Sequence, residues 1–147
     1  MRARAFAVLV LALALAACPG IPHTLERPTA TLQSLTLRNA SLSGLDVRAE
    51  LSIANPNSIA IPLRAVDWEL TIADSSPLRG RVHADATIPA KASAPAVADI
   101  HISPTSAATM LSRIAAGERS YHLRATLHFE TTLGDVAVPI DTTGTLQ

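Results

Sequence analysis

The chain of 147 residues contains a single cysteine, Cys18, so it cannot form a disulfide bond within itself. Aromatic residues make up only 3% of it, so a hydrophobic core must be built mainly from aliphatic side chains. Only 16% of the residues are charged and the formal net charge is +0, which gives no reason to expect nucleic acid or acidic lipid as the main partner. The 48% content of hydrophobic residues is that of one folded domain.

Common catalytic motifs are missing as well. The sequence has no Gly-x-Ser-x-Gly nucleophile elbow, no glycine-rich phosphate loop and no His-Glu-x-x-His zinc motif. We therefore predict no catalytic residues, no cofactor and no metal site.

One pair of acidic residues invites a hydrolase hypothesis. Asp67 and Glu69 flank Trp68 on one side of a predicted strand, about 7 Å apart, which would suit the two carboxylates of an inverting glycosidase. Nothing nearby in the sequence builds a cleft, and alternating charges are typical of solvated strands. We interpret the pair as part of a polar outer face.

The five histidines invite a metal hypothesis. His122 and His128 share a face of one predicted strand but lie about 20 Å apart along it, whereas zinc ligands lie about 2 Å from one ion. His83 and His101 are also in outward-facing positions, and His23 precedes the first strand. We predict exposed surface histidines, with a site assembled from different strands as the alternative.

The N-terminus has the pattern of an export signal. Arg2 and Arg4 precede an uninterrupted apolar run from Ala5 to Ala17. The run is shorter than the roughly 20 residues of a membrane-spanning helix, but it suits a secretory signal.

The end of that run, Leu15-Ala16-Ala17-Cys18, resembles a bacterial lipoprotein signal. This resemblance implies cleavage between Ala17 and Cys18, with lipid on the Cys18 thiol as the membrane contact. Residue 19 is proline rather than aspartate, which by resemblance to enteric-type lipoprotein sorting implies the outer membrane rather than the inner membrane. We expect a lipid-anchored envelope protein that faces the periplasm. The alternative is a buried free thiol that follows an ordinary signal.

These features divide the chain into three parts. Residues 1–17 are the predicted signal peptide, residues 18–29 a lipidated N-terminus and flexible tether rich in proline, and residues 30–147 the folded domain.

Within the domain, apolar and polar residues alternate most clearly from Leu45 to Ile53, the pattern of a half-buried strand. The tripeptide Asn55-Pro56-Asn57 then ends the strand in a corner. We expect a bulge near Ser34 and a turn, not a glycosylation site, at residues 39–41. The predicted strands are 31–38, 45–53, 66–72, 78–85, 96–102, 118–131 and 136–140, the last with a possible extension over 142–146.

One helix is predicted near 104–116. Ser103 is a suitable cap, Pro104 suits the first helical position and Gly117 would end the helix. Residues 88–95 are too rich in proline for a central strand. The pattern as a whole predicts an all-β fold, an antiparallel sandwich of the immunoglobulin or fibronectin III type with about seven strands, one short α-helix and Trp68 at its centre.

Several short motifs recur in this order in a known family. They are Asn55-Pro56-Asn57, then Trp68-Glu69-Leu70 and Leu78-Arg79-Gly80, then Ile88-Pro89-Ala90, then 121–129, and finally Val138-Pro139-Ile140 before Gly144. Together they resemble the water-stress and hypersensitive-response (WHy) domain of the group 2 late embryogenesis abundant (LEA type 2) proteins.

The resemblance implies a β-sandwich with one helix, no known catalytic residues and an association with desiccation, osmotic or other stress. Asn55, Pro56 and Asn57 are its best marker, and we expect their role to be structural. The expected function is therefore that of a non-catalytic, lipid-anchored stress protein of the cell envelope. The alternative is a periplasmic binding or adaptor module that docks a partner protein or an apolar ligand.

Overall fold

A computed structural model describes residues 24–147 and contains seven strands and one helix. No helix within this range is long and apolar enough to cross a membrane. The elements are β1 (Thr29–Ser41), β2 (Gly44–Asn55), β3 (Ile61–Ile72), β4 (Leu78–Ile88), β5 (Ala92–Ile102), α1 (Pro104–Ala115), β6 (Ser120–Thr131) and β7 (Gly134–Thr145).

The strands form two antiparallel sheets, one with the order β1-β2-β5 and the other with the order β4-β3-β6-β7. The predicted all-β sandwich is confirmed. The alternating strand predicted from Leu45 to Ile53 is β2, the centre of the three-stranded sheet, and its apolar side chains are buried against the other sheet.

The interior consists of two mainly aliphatic clusters, each of which contains one large, buried aromatic side chain. Trp68 lies in the cluster that contacts α1, and Phe129 lies in the other. The helix contributes Ala107, Met110 and Ile114 to the first cluster, as its apolar spacing predicts.

The helix begins at the predicted residue, Pro104, and ends one residue early at Ala115. Gly117 follows with φ +88, a conformation that favours glycine after a helix. Ser103 occupies the capping position, but its side chain donates to Ser106 Oγ (3.1 Å) rather than accepting from a backbone N–H.

The expected turn at residues 39–41 is wrong. Asn39, Ala40 and Ser41 continue β1 and pair with β2, and the turn is formed by residues 42–43 instead. A register shift beside Asn39 lets the strand carry on past the polar residues that suggested a turn. The bulge expected near Ser34 is present as a register shift between Leu32 and Ser34.

Strand β5 begins at Ala92, earlier than the predicted Ala96, and it includes Pro95. Proline is tolerated there because β5 is an edge strand, which has one side of its backbone free of ladder hydrogen bonds. The predicted final strand and its possible extension form one continuous strand, β7.

The last residues of the predicted tether are fixed to the domain. Glu26 is hydrogen bonded to Asn57, Pro28 is buried, and β1 starts at Thr29. The folded domain therefore begins earlier than the predicted boundary at residue 30.

Two glycines leave room for aromatic rings on neighbouring strands. Gly80 of β4 lies opposite Trp68 of β3, and a Cβ atom on Gly80 would lie 2.5 Å from the indole ring. Gly144 of β7 lies opposite Tyr121 of β6, where a Cβ atom would lie 2.7 Å from the phenol oxygen. Desolvation in this packed position raises the pKa of Tyr121.

Candidate functional site

The predicted lipidation residue Cys18, with the predicted cleavage after Ala17, lies outside the described residues. The remaining candidates are the Asn-Pro-Asn corner, the acid pair, the histidines and one groove between the sheets.

Asn55 is the centre of the corner, with only 2% of its surface exposed. Its Oδ1 accepts hydrogen bonds from the backbone N–H (3.0 Å) and the side-chain amide (3.1 Å) of Asn57. Its Nδ2 donates to three carbonyl oxygens, those of Ile59 (2.7 Å), Ile88 (3.2 Å) and Pro89 (3.0 Å). One side chain thus joins the β2–β3 corner to the end of β4.

Asn57 extends this network to the N-terminal segment. Its Nδ2 donates to the Glu26 carbonyl (2.8 Å), and its Oδ1 accepts from the Glu26 N–H (2.8 Å). The Lys91 N–H donates to the Asn57 carbonyl (2.9 Å), and the Lys91 ammonium donates to the Pro56 carbonyl. The amides of both asparagines are used within the chain, so the corner joins three segments of the chain by hydrogen bonds.

The two carboxylates of the acid pair lie on the outer face of the four-stranded sheet, each contacted by basic side chains of the two neighbouring strands. Ion pairs of this kind between neighbouring strands are typical of a solvated sheet face. The acid pair is therefore part of a polar outer face, as the sequence pattern predicts. Asp67 contacts Arg81 Nε (3.2 Å) and His128 Nε2 (2.7 Å), and Glu69 contacts Arg79 and Arg124 Nη1 (3.5 Å).

Three histidines each donate a hydrogen bond to an aspartate on a neighbouring strand. The hydrogen bond from His101 is the largest cause of the lowered pKa of Asp46, and the one from His122 has the same effect on the pKa of Asp141. The pairs are His101–Asp46 (2.5 Å), His122–Asp141 (2.6 Å) and His128–Asp67 (2.7 Å).

Sequence reasoning placed these histidines on outward-facing positions but did not find their partners. Each partner lies 19 to 61 positions away in the sequence, so only the strand register identifies it. Among residues 24–147, no three His, Cys, Asp or Glu side chains are grouped closely enough to hold a metal ion.

A groove of about 510 Å³ lies between edge strands β4 and β5, and we refer to it as the β4–β5 cleft. The two strands are joined by the short turn at residues 89–91, and the cleft opens near their far ends. Its apolar lining comes from both sheets, and its polar rim comes from both strands and the start of α1. The lining residues are Trp68, Leu78, Arg79, Gly80, Arg81, Val82, Asp99, Ile100, His101, Ile102, Ser103 and Ser106.

The charged residues on the β5 side of the rim already pair with β2. Asp99 accepts two hydrogen bonds from Arg48 (Nε–Oδ1 2.7 Å and Nη2–Oδ2 2.9 Å), and these hold the pKa of Asp99 below its usual value. His101 is bonded to Asp46. The cationic residues on the β4 side, Arg79 and Arg81, stay largely exposed at 75% and 61% of their side-chain surface.

A family model described as late embryogenesis abundant protein (LEA_2) matches residues 50–144. The match includes the Asn-Pro-Asn corner, the acid pair and all of β4. A comparison with curated proteins gives no match.

Several solved structures share the fold. A solution structure of an Arabidopsis thaliana protein is 16% identical, with a TM-score of 0.66 over 82% of each chain. A solution structure of a late embryogenesis abundant protein is 23% identical, with a TM-score of 0.58 over 80% of this chain and 68% of that one. A crystal structure from Archaeoglobus fulgidus is 12% identical, with a TM-score of 0.53 over 84% and 98%. At these identities the likeness concerns the fold.

Proposed function

Because the chain belongs to the late embryogenesis abundant family LEA_2, we propose that it is a non-catalytic protein of the cell envelope that is anchored by lipid on Cys18 and protects against desiccation, osmotic or other stress. The observation that carries the anchoring is the sequence Leu15-Ala16-Ala17-Cys18 after a charged and then apolar N-terminus. The protective role rests on the family.

The contacts of the N-terminal segment are consistent with a short anchor. Glu26 is bonded to Asn57 through two hydrogen bonds, so the chain leaves the domain beside the Asn-Pro-Asn corner. Eight residue steps separate Cys18 from Glu26, a reach of at most about 28 Å. With lipid on Cys18, the corner end of the sandwich would face the membrane and the α1 end would face away from it.

The outer faces of both sheets suit a protein that stays folded at low water activity. Several of their charged side chains form ion pairs across strands, as in Arg48–Asp99 and Arg64–Glu130 (3.1 Å). In such a pair, each charged group keeps a polar partner when water is withdrawn. With less water present, solvent competes less for these groups, so the attraction within each pair is stronger.

A second candidate function is that of an adaptor that docks a protein partner through a sheet edge, and the exposed edge of β4 favours it. The docking of an apolar ligand between the sheets receives less support. Away from the β4–β5 cleft, the two aliphatic clusters fill the space between the sheets, with side chains such as Leu51, Leu63, Leu70 and Leu127 at 3% exposure or less.

Anchoring is tested by mass spectrometry of membrane-extracted protein together with labelling by an alkyne fatty acid. We expect an N-terminal, lipid-modified Cys18, and we expect Cys18→Ser to abolish the label and move the protein to the soluble fraction. The double variant Cys18→Ser/Thr132→Cys controls for acylation of any exposed thiol, and it should also lack the label. An intact Met1 or an unmodified Cys18 on the membrane-extracted protein would contradict the proposal.

The protective role needs a separate experiment in the producing organism. A deletion strain should survive drying and osmotic shock less well than its parent, and the wild-type chain should restore survival more fully than Cys18→Ser. Equal survival of the deletion strain and the parent would remove the stress function while leaving the anchoring result unaffected.

A further inference from the structure

The sandwich has four edge strands, and three of them carry a feature that hinders the addition of another strand. In β1 there are two register shifts, and Gln147 bonds to the backbone of Leu35 and Leu37. In β5 the feature is Pro95, and in β7 it is Pro139.

The first half of β4 has no bulge, no proline and no segment of residues 24–147 bonded along its outer edge. Residues 78–83 pair with β3 in unbroken register, the bulge in β4 comes later, opposite Arg64, and the strand contains no proline. Within the described part of the chain, β4 pairs only with β3, and no backbone hydrogen bond joins it to β5. Its outer edge over residues 78–82 therefore presents unpaired N–H and C=O groups.

The β4–β5 cleft supplies an apolar surface beside this edge. Leu78 and Val82 point inward from β4 and line the cleft with Trp68, while Ile100 and Ile102 line it from the other sheet. Its volume of about 510 Å³ is within the range of small ligand sites. A strand added to β4 would direct every second side chain into this space, because side chains alternate between the two faces of a strand. Those side chains should be apolar.

The other face of an added strand would meet positive charge. Arg79 and Arg81 point outward from the edge strand, and although Glu69 and Asp67 contact them from β3, they remain 75% and 61% exposed. A guanidinium group has five N–H donors, so each can also bind a carboxylate on the far side of the edge. Opposite charges directly across two strands stabilise the pairing. The outward side chains of the added strand should be acidic.

The same charges disfavour a second copy of this chain as the partner. If two β4 strands paired antiparallel about Gly80, Arg79 of one copy would lie opposite Arg81 of the other at two places. Like charges in directly opposed positions destabilise a sheet.

We propose that the outer edge of β4 over residues 78–82 binds an extended segment of a partner protein, one that alternates apolar with acidic residues and adds to the four-stranded sheet as a fifth strand. This site would be the docking surface of the adaptor, the second candidate function given above, and its biological role rests on that proposed function. Binding does not require lipid on Cys18, so the two can fail independently.

The test uses the full-length chain in detergent micelles and a synthetic, end-capped Glu-Val-Glu-Val-Glu-Val-Glu peptide. Trp68 is the only tryptophan and lines the cleft, so its fluorescence reports binding directly. We expect a saturable change in emission. A peptide with the same side chains but with an N-methyl group on every residue should bind at least tenfold more weakly, because neither of its edges can complete the ladder. This comparison leaves the protein unaltered.

Charge reversal provides the second arm. The double variant Arg79→Glu/Arg81→Glu should bind the Glu peptide at least tenfold more weakly and should prefer the matching Lys-Val peptide. Arg27→Glu, the same change at an exposed arginine beside the Asn-Pro-Asn corner, at the other end of the sandwich, is the control and should leave binding unchanged.

Three results would overturn the proposal. They are no saturable change with the Glu peptide, equal binding of the N-methylated peptide, and an equal effect of Arg27→Glu. Dimers of the protein alone in sedimentation, abolished by the Arg79→Glu/Arg81→Glu variant, would identify a second copy as the occupant and would also overturn it.

Discussion

Among substitutions of polar side chains in this protein, Asn55→Ala should cause one of the largest losses of stability. The side chain is 2% exposed and bonds to three carbonyl oxygens and to Asn57. An alanine there would leave these groups without a partner, in a place that water reaches poorly. No other side chain joins the β2–β3 corner to the end of β4 in this way within the described residues.

The size of the effect follows from the number of bonds lost. Each net hydrogen bond contributes about 0.5–1.5 kcal/mol, and an unsatisfied buried group costs about 1–3 kcal/mol. Three carbonyl groups lose their partner, as do the backbone N–H and one side-chain N–H of Asn57, and some of these groups will rebind to water as the corner relaxes. We therefore expect a loss of about 3–4 kcal/mol in the free energy of unfolding, which corresponds to a fall in Tm of about 10–15 °C for a domain of this size.

Urea and thermal unfolding of the purified protein would measure this loss. Asn39→Ala is the matched control, because Asn39 is an exposed asparagine on β1 and its replacement should cost less than about 0.5 kcal/mol. A loss below about 1 kcal/mol in the free energy of unfolding of Asn55→Ala would refute the reasoning that the hydrogen bonds of Asn55 stabilise the sandwich.

The isosteric change Asn55→Asp separates hydrogen bonding from volume. A carboxylate would face the carbonyl oxygens of Ile59, Ile88 and Pro89, so burial and these oxygens would raise the folded-state pKa of the introduced acid. The penalty is then full above that raised pKa and decreases as pH falls towards the unfolded value of about 3.9. Relative to the wild type, the variant should therefore gain stability on acidification. A penalty independent of pH would show that the added charge is not buried.

The remaining predictions concern strand neighbours. Gly80→Ala should cost about 1–3 kcal/mol, because the added Cβ atom would displace the Trp68 ring, and an unchanged Trp68 emission spectrum would contradict this. His101→Ala should raise the pKa of Asp46 towards its usual value in an NMR titration of the carboxyl group, since the hydrogen bond from His101 is the main cause of its lowering. Because the folded-state pKa values of Asp46 and Asp141 are lowered, their contribution to stability is present above about pH 4 and is lost as pH falls through those lower values. Urea unfolding between pH 5 and 2 should show this loss, with a shallower slope for His101→Ala than for the wild type.

The alternation of apolar and polar residues predicted most of the fold. It assigned Leu45 to Ile53 to a half-buried strand, and β2 is the central strand of its sheet. It also placed Trp68 in the core and the start of the helix at Pro104. These features depend on local periodicity and on proline chemistry, which the sequence displays directly.

At two predicted element boundaries the structure differs from the prediction, because contacts with other segments of the chain override the local preference. Asn39 and Ser41 favour turns by themselves, yet β2 provides pairing partners that keep them in β1. The segment from 24 to 29 has the composition of a tether, but Asn57 supplies hydrogen bonds that fix Glu26 to the domain.

The sequence by itself determined which side chains face inward, because strand periodicity depends only on neighbours along the chain. It also identified the Asn-Pro-Asn corner as a structural feature and the histidines as residues of the outer faces. Only the tertiary structure decided which residues lie side by side. The pairing of His101 with Asp46, the contact of Gly80 with Trp68 and the exposure of the β4 edge all depend on strand order and register, which bring together residues that are distant in the sequence.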